Sequence, residues 1–102
     1  SVETLMAALA SCVAGTYAAH AMARGVDIDS IDVELEGKVD LNGLLLLAPV
    51  RPGPSVIRAK VRVKSCADDA TLTELCEVTK TASPVYDALT HPVPVETWVE
   101  RA

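Results

Sequence analysis

The stretch SVETLMAALASCVAGTYAAHAMARG, residues 1–25, decides the fold. Ser1 stands at a helix N-cap position, and Glu3 is placed favourably against the positive end of the helix dipole. Gly25 supplies the C-terminal stop. Helical residues between them run to about Arg24 and span roughly 33 Å at ~1.5 Å per residue, the width of a small domain. At about 100° per residue, Leu5, Ala8, Leu9, Thr16 and Ala19 share the face of Cys12. Ala7, Ala10, Ala14, Ala18 and Ala21 line the opposite side. A helix with almost no polar face is expected to be covered on most sides. A chain of 102 residues can hardly wrap a central helix completely, so a second subunit is implied.

The apolar run over residues 5–23 also raises the question of a membrane. Ala is a poor lipid anchor, Ser11, Thr16, Tyr17 and His20 interrupt the run, and there is no basic flank of the signal-peptide kind. The expectation is a buried helix and no membrane.

Beyond Gly25 the period changes from helical to two. Ile31, Val33 and Leu35 alternate with Asp32, Glu34 and Glu36, which predicts a half-buried strand continuing through Val39 and Leu41. Leu44 to Pro54 is irregular and rich in Gly and Pro, yet apolar for a loop, and is expected to pack on something. A second strand follows, with Ile57, Ala59, Val61 and Val63 inward and Arg58, Lys60, Arg62 and Lys64 on the solvated face. Thr71 and Glu74 form a capping-box signature for a second helix with Leu72, Leu75, Cys76 and Thr79 on one face. That helix ends near Ala82, because Pro84 disfavours helical geometry at Ser83. Val85 to Leu89 reads as a short further turn of helix, and Val93, Val95, Thr97 and Val99 as a last strand. The order helix, two strands, helix, strand is α+β with hairpin-type strand pairing, in one domain covering residues 1–102. Two or three strands cannot cover the long helix on several sides. Either dimerisation completes the sheet or strands upstream of Ser1 belong to it.

Composition narrows the function. Half of the residues are hydrophobic, which fits a folded core, but there is no Phe, one Trp and two Tyr. Base-stacking platforms are therefore missing, and a net charge of −5 with dispersed acids argues against nucleic acid. Cys12, Cys66 and Cys76 make no CxxC pair, and an odd number of thiols points to a reducing, cytoplasmic setting. No ligand spacing supports a metal site, and no phosphate loop or nucleophile elbow is present, so no cofactor is expected.

Cys12 is the first candidate for chemistry. A free thiol titrates near pH 8.5, so it needs a nearby cation or other fixed positive group to become a nucleophile, and otherwise stays a small buried hydrophobe. Arg24, on the same helix, lies three turns away. Cys76 belongs to the apolar stripe of the second helix, and Cys66 sits at a strand end before Asp68 and Asp69, half-exposed and unactivated. His20 falls two turns after Cys12 and about 80° around the helix, too far for a Cys–His pair, and is expected as a satisfied interior residue.

Two segments taken together resemble the OsmC/Ohr family, the osmotically inducible protein C and organic hydroperoxide resistance proteins. The first is Glu3 to Cys12 with its Ala-Ser-Cys, followed by Ala19 to Gly25 and Ile31-Asp32-Val33-Glu34. The second is Ala82-Ser83-Pro84-Val85-Tyr86-Asp87-Ala88-Leu89 with Val93-Pro94-Val95. The resemblance implies an intertwined homodimer, with long central and second helices packed by antiparallel strands from both subunits, and initial strands upstream of Ser1. It also implies a first cysteine that attacks a hydroperoxide and becomes a sulfenic acid, and a second that condenses with it to a disulfide. Cys12 matches the first, whereas the position of the second is Ser83, which cannot form that bond. The expectation is a one-cysteine cycle on organic hydroperoxides, with an external thiol as reductant and Ser83, Pro84 and Val85 forming the pocket wall. The competing expectation is a non-catalytic dimer that binds a small apolar ligand or a protein partner.

Overall fold

The computed structural model describes all residues from Ser1 to Ala102. The 22-residue helix α1 (Val2–Ala23) closes in a Schellman motif. Gly25 adopts φ +68°, its N–H bonds the Met22 carbonyl at 3.1 Å, and Val26 N–H bonds that of Ala21 at 2.8 Å. A side chain at Gly25 would be strained in this left-handed conformation, so the predicted stop has a conformational cause.

From Ser30 the chain runs as β1 (Ser30–Gly37), then a four-residue helix α2 (Leu41–Leu44), then β2 (Ile57–Lys64). The strands pair antiparallel from Ser30 opposite Lys64 to Gly37 opposite Ile57. The alternation sorts side chains by face. Ile31, Val33 and Leu35 oppose Val63, Val61 and Ala59 toward α1, while Asp32, Glu34 and Glu36 oppose Arg62, Lys60 and Arg58 on the outer face. Opposite charges directly across an antiparallel pair favour this register, and a one-residue slip would put the acids toward the helix.

The first strand stops at Gly37 and does not reach Leu41. The local reason is Asp40, whose carboxylate accepts the Asn42 N–H at 3.0 Å and starts α2 instead. The apolar loop after α2 does not pack as its composition suggests. Leu44 to Leu47 are all exposed, Leu46 at 89%, and Leu46 takes a positive φ of 56°. Gly43 is needed here because a Cβ would come within 2.7 Å of the Arg51 carbonyl oxygen.

Helix α3 (Asp69–Ala82) begins three residues earlier than the Thr71–Glu74 signature suggests. Asp68 is its cap and accepts the Thr71 N–H at 2.9 Å. Helix α4 (Pro84–Thr90) follows after the single residue Ser83. The expected last strand over Val93 to Val99 is not paired here. Residues 92–102 leave α4 as an exposed segment outside any helix or strand.

The core lies between α1, α3 and the sheet. Tyr17, Ala21 and Leu75 are buried against Val26, Ile28, Ile31, Val61, Val63 and Cys76, and the Tyr17 hydroxyl donates to the Leu72 carbonyl at 2.8 Å. The buried stripe of α1 is Leu9, Val13, Tyr17 and Ala21, at a spacing of four residues, whereas Ala8 and Ala19 are exposed. The helix is therefore covered on one side by its own chain, not on most sides. By length and composition it is apolar enough to cross a membrane, but that stripe packs on sheet and helices as a core helix does. His20 is not interior: it is half-buried and accepts a hydrogen bond from Arg24 at 3.2 Å.

Replacing the buried Leu75 by Ala is expected to cost about 3 kcal/mol through lost burial and a cavity. Replacing the exposed Ala19 by Ser is expected to change stability by less than about 0.5 kcal/mol. Urea unfolding of the two variants distinguishes this packing from one in which α1 is covered all round.

Candidate functional site around Cys12 and Ser83

Cys12 sits at mid-length of α1, half-buried, one residue before the buried Val13. Ser83 is the joint between α3 and α4 and is fully buried, with 0% of its surface exposed. Pro84 explains the joint. It disfavours helical geometry in the residue before it, so Ser83 is extended at φ −71°, ψ 118°, and Pro84 itself occupies the first turn of α4. An extended Ser before a helix is a capping residue, and its Oγ accepts the Tyr86 N–H at 3.3 Å.

The same hydroxyl meets Cys12. Ser83 Oγ lies 3.0 Å from Cys12 Sγ, a contact between residues 71 positions apart. With an N–H already donated to its oxygen, the hydroxyl proton is free to point at sulfur. Thr16 Oγ1 is one helical turn from Cys12, at 4.0 Å. The Ser83 hydrogen bond, then one from the Val85 backbone, hold the Cys12 thiol below its ordinary pKa. Desolvation pushes the other way, and Thr16 adds a smaller downward effect. The thiol is lowered by hydrogen bonds, where the residues alone suggested that a nearby positive charge would be needed.

Of the residues singled out from the sequence, Cys12, Ser83 and Val85 come together, and Pro84 sets the geometry that joins them. Tyr86 was not singled out, although its position three residues after Ser83 is where an N-cap side chain bonds the backbone. Thr16 was placed on the face of Cys12 but not given a role. Cys66 is exposed, and Cys76 packs beside Tyr17 and Leu75 rather than at Cys12.

A cleft of about 370 Å³ lies between α1, β2 and α4, lined by Leu5, Leu9, Val13, Ile57, Tyr86 and Leu89 among others; Val13 follows Cys12 and Tyr86 bonds Ser83, but the pair itself does not line it. Arg51 and Thr90 are its polar members with Ser55. A largely apolar hollow one residue along α1 from a thiol of lowered pKa is a candidate place for a small organic molecule to bind.

A long α1 under an antiparallel hairpin, with its cysteine against the serine joint of two further helices, defines an α+β protein of the OsmC-like fold. The family model for OsmC-like proteins matches residues 1–97, and the chain belongs to that family. Among solved structures it is similar to the OsmC-like protein from Mycoplasma pneumoniae, with a TM-score of 0.80 at 17% identity. That similarity covers 90% of this chain and 62% of the other, so the chain spans under two thirds of its relative's length. At this identity the likeness is one of fold. No curated protein sequence matches the chain.

Removing the Ser83 hydroxyl tests the electrostatics directly. Ser83→Ala is expected to raise the Cys12 pKa, because its largest lowering contact is lost, and so to slow alkylation of Cys12 at neutral pH. The rate is read peptide by peptide by mass spectrometry across a pH series. The same change removes the α4 cap and is expected to cost about 1 kcal/mol of stability.

Proposed function

We propose that the chain is a thiol-dependent reductase of organic hydroperoxides that works through one nucleophilic cysteine, Cys12, in a cytoplasmic homodimer. The observation that carries this reading is the 3.0 Å approach of Ser83 Oγ to Cys12 Sγ. It provides a donor for a thiolate at the side of an apolar cleft, with the thiol pKa already lowered.

In the proposed cycle the Cys12 thiolate attacks the terminal oxygen of the hydroperoxide. The S–O bond forms as the O–O bond breaks, and the alkoxide leaves as an alcohol with the proton released on ionisation of the thiol. Ser83 donates to sulfur before the attack and remains in place for the charge that builds on oxygen. Pro84 and Val85 complete the wall, and the apolar cleft takes the organic group. An external thiol then attacks the sulfenic sulfur and expels water, leaving a mixed disulfide. A second external thiol releases Cys12. Two thiols are oxidised to one disulfide, and the peroxide is reduced to alcohol and water.

A second reading, a binding protein for a small apolar ligand, is favoured by one observation. No other cysteine stands at Ser83, so no internal disulfide can close the cycle.

A hydroperoxide pulse followed by mass spectrometry separates the two. Stoichiometric sulfenic acid at Cys12 is expected, with turnover abolished in Cys12→Ser. Equal turnover in that variant would overturn Cys12 as the nucleophile, and a Cys12 thiol left unoxidised would favour the binding reading. Ser83→Cys is expected to trap an internal disulfide with Cys12 after the same pulse, since the two side chains already touch and a disulfide needs Cβ atoms about 3.8 Å apart. A mixed disulfide with the external thiol should then disappear from the spectrum.

A further inference from the structure

The cleft of about 370 Å³ has one charged residue in its wall, Arg51, and no carboxylate. The balance of the chain runs the other way, with 14 acids against 9 bases. On the neighbouring hairpin, Glu34 and Glu36 stay on the outer face, paired with Arg62 and Arg58. The body of the cleft is apolar, from Leu9 and Val13 of α1 to Leu89 of α4, and Arg51 is exposed at its rim. The hollow therefore has two ends of different chemistry.

The guanidinium is also unpaired. None of the ion pairs of the chain includes Arg51. Asp40 lines a second hollow together with Arg51, but its carboxylate accepts the Asn42 N–H at 3.0 Å and caps α2. Among the hydroxyls of the cleft, that of Thr90 already donates to the Tyr86 carbonyl at 2.8 Å. The planar fork of five N–H donors on Arg51 is thus the strongest unclaimed donor set at the cleft. Its geometry matches a carboxylate through two parallel hydrogen bonds.

The backbone under Arg51 is braced. Its carbonyl lies against Gly43, where a Cβ would come within 2.7 Å, and Pro52 restricts Arg51 to extended geometry. Pro54 stiffens the chain between Arg51 and Ser55, the other polar group on this loop at the cleft. A side chain on a stretch held in this way loses less freedom on binding than one on a loose loop. Arg51 is not among the groups that lower the Cys12 thiol, which are Ser83, Val85 and Thr16. Its place is at a ligand and not at sulfur.

We propose that Arg51 is the specificity-determining residue of this cleft and that its ligand is an amphipathic organic anion, with an apolar body over Leu9, Val13 and Leu89 and a carboxylate on the Arg51 guanidinium. The volume is near the lower end of the roughly 300–1,000 Å³ of small-molecule sites, which suits a body of medium length. This assignment rests on the reading above only in taking the cleft as the place of the organic group. It holds whether that group carries a hydroperoxide or is simply bound.

Octanoate and octanamide differ in charge and hardly in length or shape. Each is titrated into the full chain at low salt by calorimetry, with the methyl resonances of Leu9, Val13 and Leu89 followed in parallel. Octanoate is expected to bind about tenfold or more tighter than octanamide, to shift those methyls, and to lose its advantage as salt screens the exposed Arg51. Arg51→Gln is expected to bring the two ligands level. Arg51→Lys is expected to restore part of the preference, because an ammonium keeps the charge without the fork. Lys60→Gln makes the same charge change on the outer face of the hairpin and is expected to leave the preference intact, with unchanged far-ultraviolet dichroism checking the fold of every variant. Equal binding of the two ligands to the unaltered chain would overturn the role of Arg51 and leave the cleft as an organic site. So would a preference that survives Arg51→Gln or falls as far in Lys60→Gln. Binding of neither ligand, or binding that leaves the three methyls unmoved, would overturn this assignment together with the place given to the cleft, while the hydroperoxide pulse reports separately on Cys12 as the nucleophile.

Discussion

The contact between Cys12 Sγ and Ser83 Oγ depends on two separate pieces of local structure, and both of them depend on little else. One is the uninterrupted α1, which carries Cys12 to the middle of the molecule. The other is a one-residue break between α3 and α4, made because Pro84 disfavours helical geometry at Ser83. The break turns a serine that would be an awkward interior helix residue into a cap. A hydroxyl has one proton and two lone pairs. Accepting from Tyr86 fixes the oxygen and leaves its proton available to a Cys12 thiolate. The same atom therefore sets where α4 begins and how acidic the thiol is. A hydrogen bond to a charged partner is worth about 1.5–3 kcal/mol, so the joint gains most when Cys12 is ionised.

The rest of the fold holds these two pieces at a fixed distance. Tyr17 and Leu75 clamp α1 against α3 a little further along, and the Tyr17 hydroxyl anchors to a carbonyl on α3. The hairpin covers the buried stripe of α1 through Ile31, Val61 and Val63. Its outer face is held by charge and its inner face by apolar contact, so the register cannot slip without exposing one and burying the other. Only eight of the 102 residues are buried, and the apolar surface left outside includes one side of α1, the leucines after α2 and the segment after α4. Exposed apolar surface on that scale marks contact surface.

Much of the fold is legible in the residues. Gly25, the period-two strands and Ser83-Pro84 each have one local physical cause, and each places an element boundary to within a residue or two. The errors have local causes too. Asp40 captured the backbone of Asn42 before a longer strand could form, and Asp68 capped α3 ahead of the Thr71 signature. The first set a carboxylate cap against strand continuation and the second a carboxylate against a hydroxyl cap, neither of which spacing ranks. Alanine on all sides of α1 gives periodicity no single face to select, so the residues predict cover on most sides where the chain itself covers one. Tyr17 marks the true face, and a buried phenol with a hydrogen-bond partner is the signal that decides it. At the site, Cys12 and Ser83 were legible singly. Their 3.0 Å approach was not, because it depends on how α1 and α3 cross.

A thiol lowered by hydrogen bonds is a different reagent from one lowered by a neighbouring cation. Nucleophilicity falls as the pKa falls, so a lowered pKa gains thiolate at some cost in the intrinsic reactivity of each thiolate. A hydroxyl donor also stays useful after sulfur has been oxidised, since it can donate to the new oxygen as readily as to the thiolate. What a hydroxyl cannot do is supply electrons. With Cys66 exposed at a strand end and Cys76 packed beside Tyr17, neither remaining thiol is held at the Cys12 sulfur. A sulfenic acid formed there would be stabilised by Ser83 and would persist until a thiol from outside arrived. The chemistry proposed for this chain thus requires that the cleft beside Cys12 admit two successive visitors, a peroxide and then a reductant. Any cover over that cleft must be able to open.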